Sequence, residues 1–229
     1  MLVTGFPAAA FGTNCYVIAP APGEECVVVD PGIGIEPHLD ELLREHRLRP
    51  VAVLLTHGHI DHTFSVTPVC GARGIPAYIH SGDRELLADP IKGLRSETRA
   101  MFGGLEWAEP EDIAELSDGL VLQLAGLEIT VDHAPGHTRG SVMFRLPGDD
   151  AQTLLSGDVL FAGSIGRTDL PGGSYEQMLK SLATKCLPLP DETVVMPGHG
   201  SSTTIGRERV SNPFLAEAAP LAPARGRGL

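Results

Sequence analysis

The stretch "LLTHGHIDHTF", residues 54–64, sets three histidines and one aspartate within six positions, in a chain that holds nine histidines altogether. His57 and His59 stand two apart directly after the apolar, β-branched run "VAVLL", so a strand delivers both to one turn, and Gly58 between them lets the chain bend there. Asp61 and His62 follow one helical turn further on. One tetrahedral ion takes only four ligands, so two adjacent donor sets in one loop point to two metals rather than one.

Similar junctions recur further along the chain. "VDHAPGHT" places His137 after a strand and a Pro-Gly turn, "LLSGDVLF" places Asp158 after a strand and a glycine, and "VVMPGHG" places His199 after a strand and Pro-Gly. Alone, His137 or His199 is more readily a hydrogen-bonded loop histidine, and Asp158 a turn or cap residue. Beside the first cluster they are the missing donors, because sheet folds of this kind place their sites at strand ends. His38, His46, His80 and His133 lack that context and are assigned structural or surface roles.

Composition narrows the partners. The chain has 229 residues, 42% hydrophobic and 20% charged, enough to bury a sizeable core as one soluble domain. A formal net charge of −12 without a Lys/Arg cluster argues against nucleic acid as a partner. No apolar run approaches ~18 residues and no basic residue precedes Arg44, so neither a membrane span nor a signal-peptide n-region is expected, and a cytoplasmic protein is. Cys15, Cys26, Cys70 and Cys186 form no C-x-x-C pair and fit buried thiols in a reducing compartment.

The runs "CVVVD", "VAVLL", "AYIH", "LVLQL", "ITVDH", "SVMFRL", "TLLSG" and "TVVM" are each bounded by Gly, Pro or polar residues and are expected to be strands. Helices are expected after Pro37, where Leu39, Leu42 and Leu43 share a face, and over Val66, Val69 and Cys70 up to a break at Gly71. A third follows "GGSYEQMLKSL", with Ser174 and Gln177 at capping-box spacing and Tyr175, Met178, Leu179 and Leu182 along one side. Such a mixture implies sheets covered by helices. Residues 89–111 are long for a connection and carry Phe102, Leu105 and Trp107, which either pack on the core or form a lid. The domain is expected to span 1–213, with 214–229 a flexible tail.

"THGHIDH", "PGHT", "SGD" and "PGHG", in this order, resemble the metallo-β-lactamase superfamily, over about residues 13–200. The resemblance implies an α/β fold, the four-layer αβ/βα sandwich, with metals at the edges of two sheets. It implies that His57, His59 and His137 bind a first metal, that Asp61, His62 and His199 bind a second, and that Asp158 bridges them. "GDVLFAGSIGRTDLPGGSYEQMLKSL" with "LPDETVVMPGHGSSTTIGRERVSNPF" is similar to the short bacterial form of the glyoxalase II-type hydrolases, which cleave hydroxyacyl thioesters of a carrier thiol. The bridging aspartate speaks against antibiotic hydrolysis, because true β-lactamases generally have another residue there. Arg167 matches a basic position of the family, while Asp169 stands where longer enzymes have an aromatic thiol-binding residue.

The expected cofactor is a pair of divalent ions, zinc first, with iron or manganese as alternatives. Asp61 and Asp158 are the expected catalytic carboxylates, Asp61 both ligating and orienting a shared hydroxide. Arg167, then Arg139, is expected to contact the small-molecule thioester, and Arg207 and Arg209 to form ion pairs. Two rivals stand beside the hydrolase. Persulfide dioxygenases share the "GRTD" element and use one iron, here on His57, His137 and Asp158. A metal-stabilised binding protein is the third reading, though closed structural zinc sites are usually cysteine-rich.

Overall fold

The computed structural model describes residues 1–99, 102, 107–148 and 150–223. One sheet runs β1 (Leu2–Pro7), β2 (Asn14–Ala19), β3 (Glu25–Val29), β4 (Arg49–Leu54), β5 (Ala77–His80) and β6 (Ile113–Leu116), in that spatial order, antiparallel through β3 and parallel from there. The other contains β7 (Val121–Leu124), β8 (Leu127–His133), β9 (Val142–Leu146), β10 (Thr153–Gly157), β11 (Val194–Pro197) and β12 (Thr203–Thr204), with only β10 and β11 parallel.

Successive side chains of a strand face opposite ways, and here both faces are covered. Tyr16, Ile18, Val27, Val29 and Leu54 meet Ile129, Val131, Val142 and Phe144 between the sheets. Cys15, Val17, Val28, Val53 and Leu55 point outward onto Leu39 and Leu43 of α1 (Glu36–His46) and onto Val66, Val69 and Cys70. On the far side Met143, Leu154 and Val195 meet Met178, Leu182, Leu215 and Ala218. The result is the expected four-layer sandwich.

After α1 come α2 (Ile60–Thr63), α3 (Val66–Arg73), α4 (Arg84–Ala88), α5 (Ser96–Arg99), α6 (Tyr175–Ser181), α7 (Ile205–Ser211) and α8 (Pro213–Ala218). α3 runs past the expected break at Gly71 and stops at Gly74, whose φ of 61° suits a left-handed cap. A glycine inside a helix costs only about 1 kcal/mol, too little to end one that packs two valines. Ser174 Oγ accepts from Gln177 N at 3.3 Å, capping α6, while Ser174 N donates to Gly136 O instead of closing a box. Tyr175 leaves the expected apolar face and, 39% exposed, donates its hydroxyl to Glu217.

α8 corrects the expected tail. It buries Leu215 and Ala218 against α6, so packed structure continues beyond 213, and residues 224–229 lie outside the described residues. Arg209 pairs with Asp191 at 2.8 Å as expected, but Arg207 has no ion pair among the described residues. All four cysteines are free and buried, and burial pushes the Cys26, Cys70 and Cys186 thiols up to about 12. No helix among the described residues is long and apolar enough to cross a membrane.

Phe144 is fully buried between the sheets. Phe144→Ala is expected to lower unfolding free energy by about 3–5 kcal/mol in a denaturant titration. A loss below about 1 kcal/mol would mean the two sheets do not share one cooperative core.

Candidate metal centre

The site lies where strands of both sheets end. β4 leads through Thr56 to His57 and His59, and α2 then carries Asp61 and His62. His137 follows β8, Asp158 follows β10 and His199 follows β11. The structure thus brings every expected metal ligand to one place, in overlapping groups: His57, His59 and His137; His57, His62 and Asp158; Asp61, His62 and His199.

Hydrogen bonds fix which ring nitrogen His57, His62 and His137 present. The Asp30 carboxylate can only accept, so His62 Nδ1–H donates to Asp30 Oδ2 at 2.9 Å. Thr56 Oγ1–H donates to the same oxygen at 2.6 Å, and therefore accepts from His57 Nδ1–H at 3.1 Å. His137 Nδ1–H donates to Arg167 O at 2.7 Å. In all three rings Nε2 is left to face the centre, as metal-ligating histidines do.

His137 Nε2 sits 3.1 Å from His57 Nε2 and 2.8 Å from His59 Nδ1. Burial holds His57 and His137 well below the usual imidazole range and His59 down to about 4, so these rings are neutral, and His57 and His137, whose protons sit on Nδ1, turn their Nε2 lone pairs toward each other. Such an arrangement is repulsive unless a cation lies among them. His62 Nε2 is 3.2 Å from His199 Nε2, and Asp61 Oδ2 lies 3.5 and 3.2 Å from those two nitrogens. Asp158 touches both sets, with Oδ1 3.4 Å from His62 and Oδ2 3.5 and 3.6 Å from His137 and His199. Its Oδ1 is buried without a hydrogen-bond partner among the described residues. The donor set therefore fits metal ions, the nitrogen triad most directly.

Electrostatics agree. Burial opposes a charge on His62, yet Asp61, Asp158 and Asp30 outweigh it and push the imidazole up to about 10. Burial raises the Asp158 carboxyl to about 6 against the pull of His62 and His199. Burial opposes ionisation of Asp61 too, but His62 and His199 hold it well below the carboxylate range. Three carboxylates thus keep a proton on His62 where a cation would otherwise balance them.

Sequence reasoning missed Asp30 and Asp83. Asp83, buried, accepts from Gly58 N at 2.8 Å, Gly140 N at 2.7 Å and Thr138 Oγ1 at 2.6 Å, bolting the His57–His59 loop to the His137 loop. Gly58 does not take a left-handed turn; it is needed because a Cβ there would fall 2.7 Å from Leu86 Cβ. Asp30 carried a readable signal, since "VVVDPG" repeats the strand-then-Pro-Gly pattern of His137 and His199.

The centre opens on a cavity of about 490 Å³. His59, Asp61, His137, Asp158 and His199 line its floor, Phe11, Ile60, Leu94, Phe102, Phe161 and Leu170 its apolar walls, and Arg95, Thr98 and Arg167 add polar groups. Arg167 thus borders this cavity. Arg139 does not: it faces a separate depression with Glu85, Lys92 and Pro171, because Thr138 is anchored on Asp83 and the chain turns away after it. The 89–111 segment both packs and walls the site. Trp107 meets Phe64 edge-to-face at 5.7 Å while Leu94 and Phe102 reach the cavity; Leu105 lies outside the described residues. His80 and His133 stack on each other, away from the centre.

Residues 8–199 match the Metallo-beta-lactamase superfamily. An uncharacterized protein of Mycobacterium tuberculosis is 50% identical over 219 residues, 94% of this chain and 98% of its own. The probable metallo-hydrolase YqgX of Bacillus subtilis is 37% identical, and the hydroxyacylglutathione hydrolase GloC of Haemophilus influenzae 36%, each over 91% of this chain and 95% of its own. Among solved structures, BLEG-1 B3 metallo-beta-lactamase superposes with TM-score 0.82 at 40% identity, covering 93% of this chain and 99% of its own. TTHA1623 in a di-iron-bound form gives 0.76 at 38%, covering 93% and 100%.

Two outcomes follow from this geometry. A cation must displace the His62 proton, so loading zinc into metal-free protein at pH 7.5 is expected to release at least one proton per chain, read by calorimetry in buffers of different ionisation enthalpy. Because the metal-free pKa is raised to about 10, affinity should fall about tenfold per unit as pH drops from 9 to 7. Gly198→Ala is expected to lower metal content while circular dichroism stays unchanged, because a Cβ there would collide with Asp158 Oδ1 and lie 2.7 Å from His62 Cε1.

Proposed function

The chain belongs to the metallo-beta-lactamase superfamily, and within it we propose a metal-dependent thioester hydrolase of the glyoxalase II type, cleaving a hydroxyacyl thioester of a low-molecular-weight thiol. The observation that carries this reading is the His and Asp floor under a half-apolar cavity with Arg167 beside it. Similarity to the Haemophilus hydroxyacylglutathione hydrolase supports it.

His57, His59 and His137 would hold one divalent ion and Asp61, His62 and His199 a second, with Asp158 shared. Zinc is the first expectation, and the di-iron form of TTHA1623 keeps iron open. When bound, such a pair supplies a hydroxide at neutral pH and stabilises charge on a carbonyl oxygen.

The chain's own residues do the rest. Thr13 Oγ1 donates to Asp61 Oδ2 at 3.0 Å and fixes that carboxylate, which accepts the nucleophile's O–H and turns its lone pair toward the bound carbonyl. The new C–O bond forms by addition, which moves the carbonyl electron pair onto oxygen; that pair then re-forms the carbonyl as the C–S bond breaks with its electrons leaving on sulfur, and the product acid gives up its proton to water. A thiol with pKa about 8.5 departs as thiolate without a general acid. Phe102, Phe161 and Leu170 keep the acyl group out of bulk water. None of the buried cysteines, with raised pKa values, is suited to nucleophilic attack.

β-Lactam hydrolysis is a second reading, supported by the likeness to BLEG-1 and opposed by the aspartate at the shared position, Asp158. It shares hydroxide addition to a carbonyl, but the C–N bond breaks and the departing nitrogen needs a proton.

Three assays on purified protein separate the readings: thiol release from S-D-lactoylglutathione, nitrocefin turnover, and oxygen uptake with glutathione persulfide. Thiol release that a chelator abolishes is expected, with Asp61→Asn lowering kcat about 10²–10⁴-fold while the fold persists. Nitrocefin turnover without thiol release would transfer the assignment to β-lactams. Oxygen uptake without thiol release would make His57, His137 and Asp158 the ligands of a single iron.

A further inference from the structure

Arg95 and Arg167 approach the cavity from segments far apart in sequence, one just before α5 and one after β10, and meet on a single carboxylate. Arg167 holds Asp169 in a two-pronged fork, Nε to Oδ1 at 2.7 Å and Nη2 to Oδ2 at 3.0 Å. Arg95 Nη2 also donates to Asp169 Oδ2. Each guanidinium carries five N–H donors, so among the described residues this one acceptor takes only a minority of them. All three side chains are about half exposed, at 49%, 53% and 52%. Ion pairs so exposed stabilise a fold by little, so folding stability does not account for two arginines converging here.

The geometry points to a carboxylate clamp: Arg95 and Arg167 bind a carboxylate on the substrate's carrier, and Asp169 is the internal competitor that this carboxylate displaces. The specificity assigned to Arg95 and Asp169 rests on the thioesterase reading, although the clamp itself does not require turnover. Asp169 already shows that a planar carboxylate fits the fork, the bidentate geometry guanidinium groups favour. The neighbours of these residues extend the description of the ligand. Leu94 and Leu170, each adjacent in sequence to one of them, belong to the apolar wall. The carrier that fits has an apolar or methylene stem ending in a carboxylate. A neutral carrier would leave the Asp169 pairing in place, and a cationic one would meet two guanidinium groups.

Binding of S-hexyl-3-mercaptopropionate and of its methyl ester, which differ only in the charge, tests this by calorimetry on the metal-loaded protein. The acid is expected to bind about tenfold more tightly than the ester, and Arg95→Ala to collapse that difference. Asp169→Asn, by removing the competitor, is expected to tighten acid binding several-fold. Equal binding of acid and ester overturns the clamp, and so does an acid preference that survives Arg95→Ala, since the acid would then be held elsewhere. Unchanged acid affinity in Asp169→Asn overturns Asp169 as competitor. Acid-selective binding without S-D-lactoylglutathione turnover would sink the thioesterase reading and leave the clamp; turnover without acid selectivity would do the reverse.

Discussion

One buried carboxylate organises the centre. Asp30 ends β3 with φ of 50°, a left-handed value unusual for a residue with a side chain. In that conformation its Oδ1 accepts from Thr56 N at 2.8 Å, while Oδ2 accepts from both the Thr56 hydroxyl and His62 Nδ1–H. Thr56 in turn takes the Nδ1 proton of His57. A single aspartate therefore sets the tautomer of a histidine in each donor set, and it ties the ends of two neighbouring parallel strands while doing so. The strain of its backbone is of the kind that persists where surroundings over-determine it.

The rest of the fold delivers donors to that framework. Helices cover the outer faces of both sheets, and the loops after β4, β8, β10 and β11 carry the donors to the sandwich's edge. Asp83 then locks two of these loops to each other across the two sheets. The arrangement keeps neutral nitrogens on one side and a charged Asp61–His62 pair on the other, with Asp158 in contact with both. On the proposed function, chemistry at such a centre would need no nucleophilic side chain, and specificity would fall to the cavity walls and to Arg95 and Arg167 beside them.

Much of this was legible because the signals are local. Runs such as "VAVLL" and "SVMFRL" are dense in β-branched and apolar residues, and each ligand sits within a few residues of such a run. β1, β2, β6 and β12 were not among the expected strands: Gly5 breaks the pattern of β1, the "IAEL" of β6 is short and carries little β-propensity, and β12 has two residues, whereas the β2 run "NCYVIA" was readable and was missed. Asp83 was not readable, since its partners are Gly58, Thr138 and Gly140, 25 to 57 residues away. Arg139 shows the opposite failure. It stands two residues after His137 in sequence, but the Thr138 anchor turns it to another face. Arg95 lies in a segment without periodicity, where only the tertiary fold reveals its meeting with Asp169.

On the proposed function the two donor sets, joined by Asp158, would each hold an ion. Anomalous diffraction from crystals of the zinc-loaded protein, collected on both sides of the zinc edge, tests it most directly. Two peaks are predicted, one bounded by His57, His59 and His137 and the other by Asp61, His62 and His199, with Asp158 between them. A single peak held by His57, His137 and Asp158, or zinc bound elsewhere on the chain, would contradict the account.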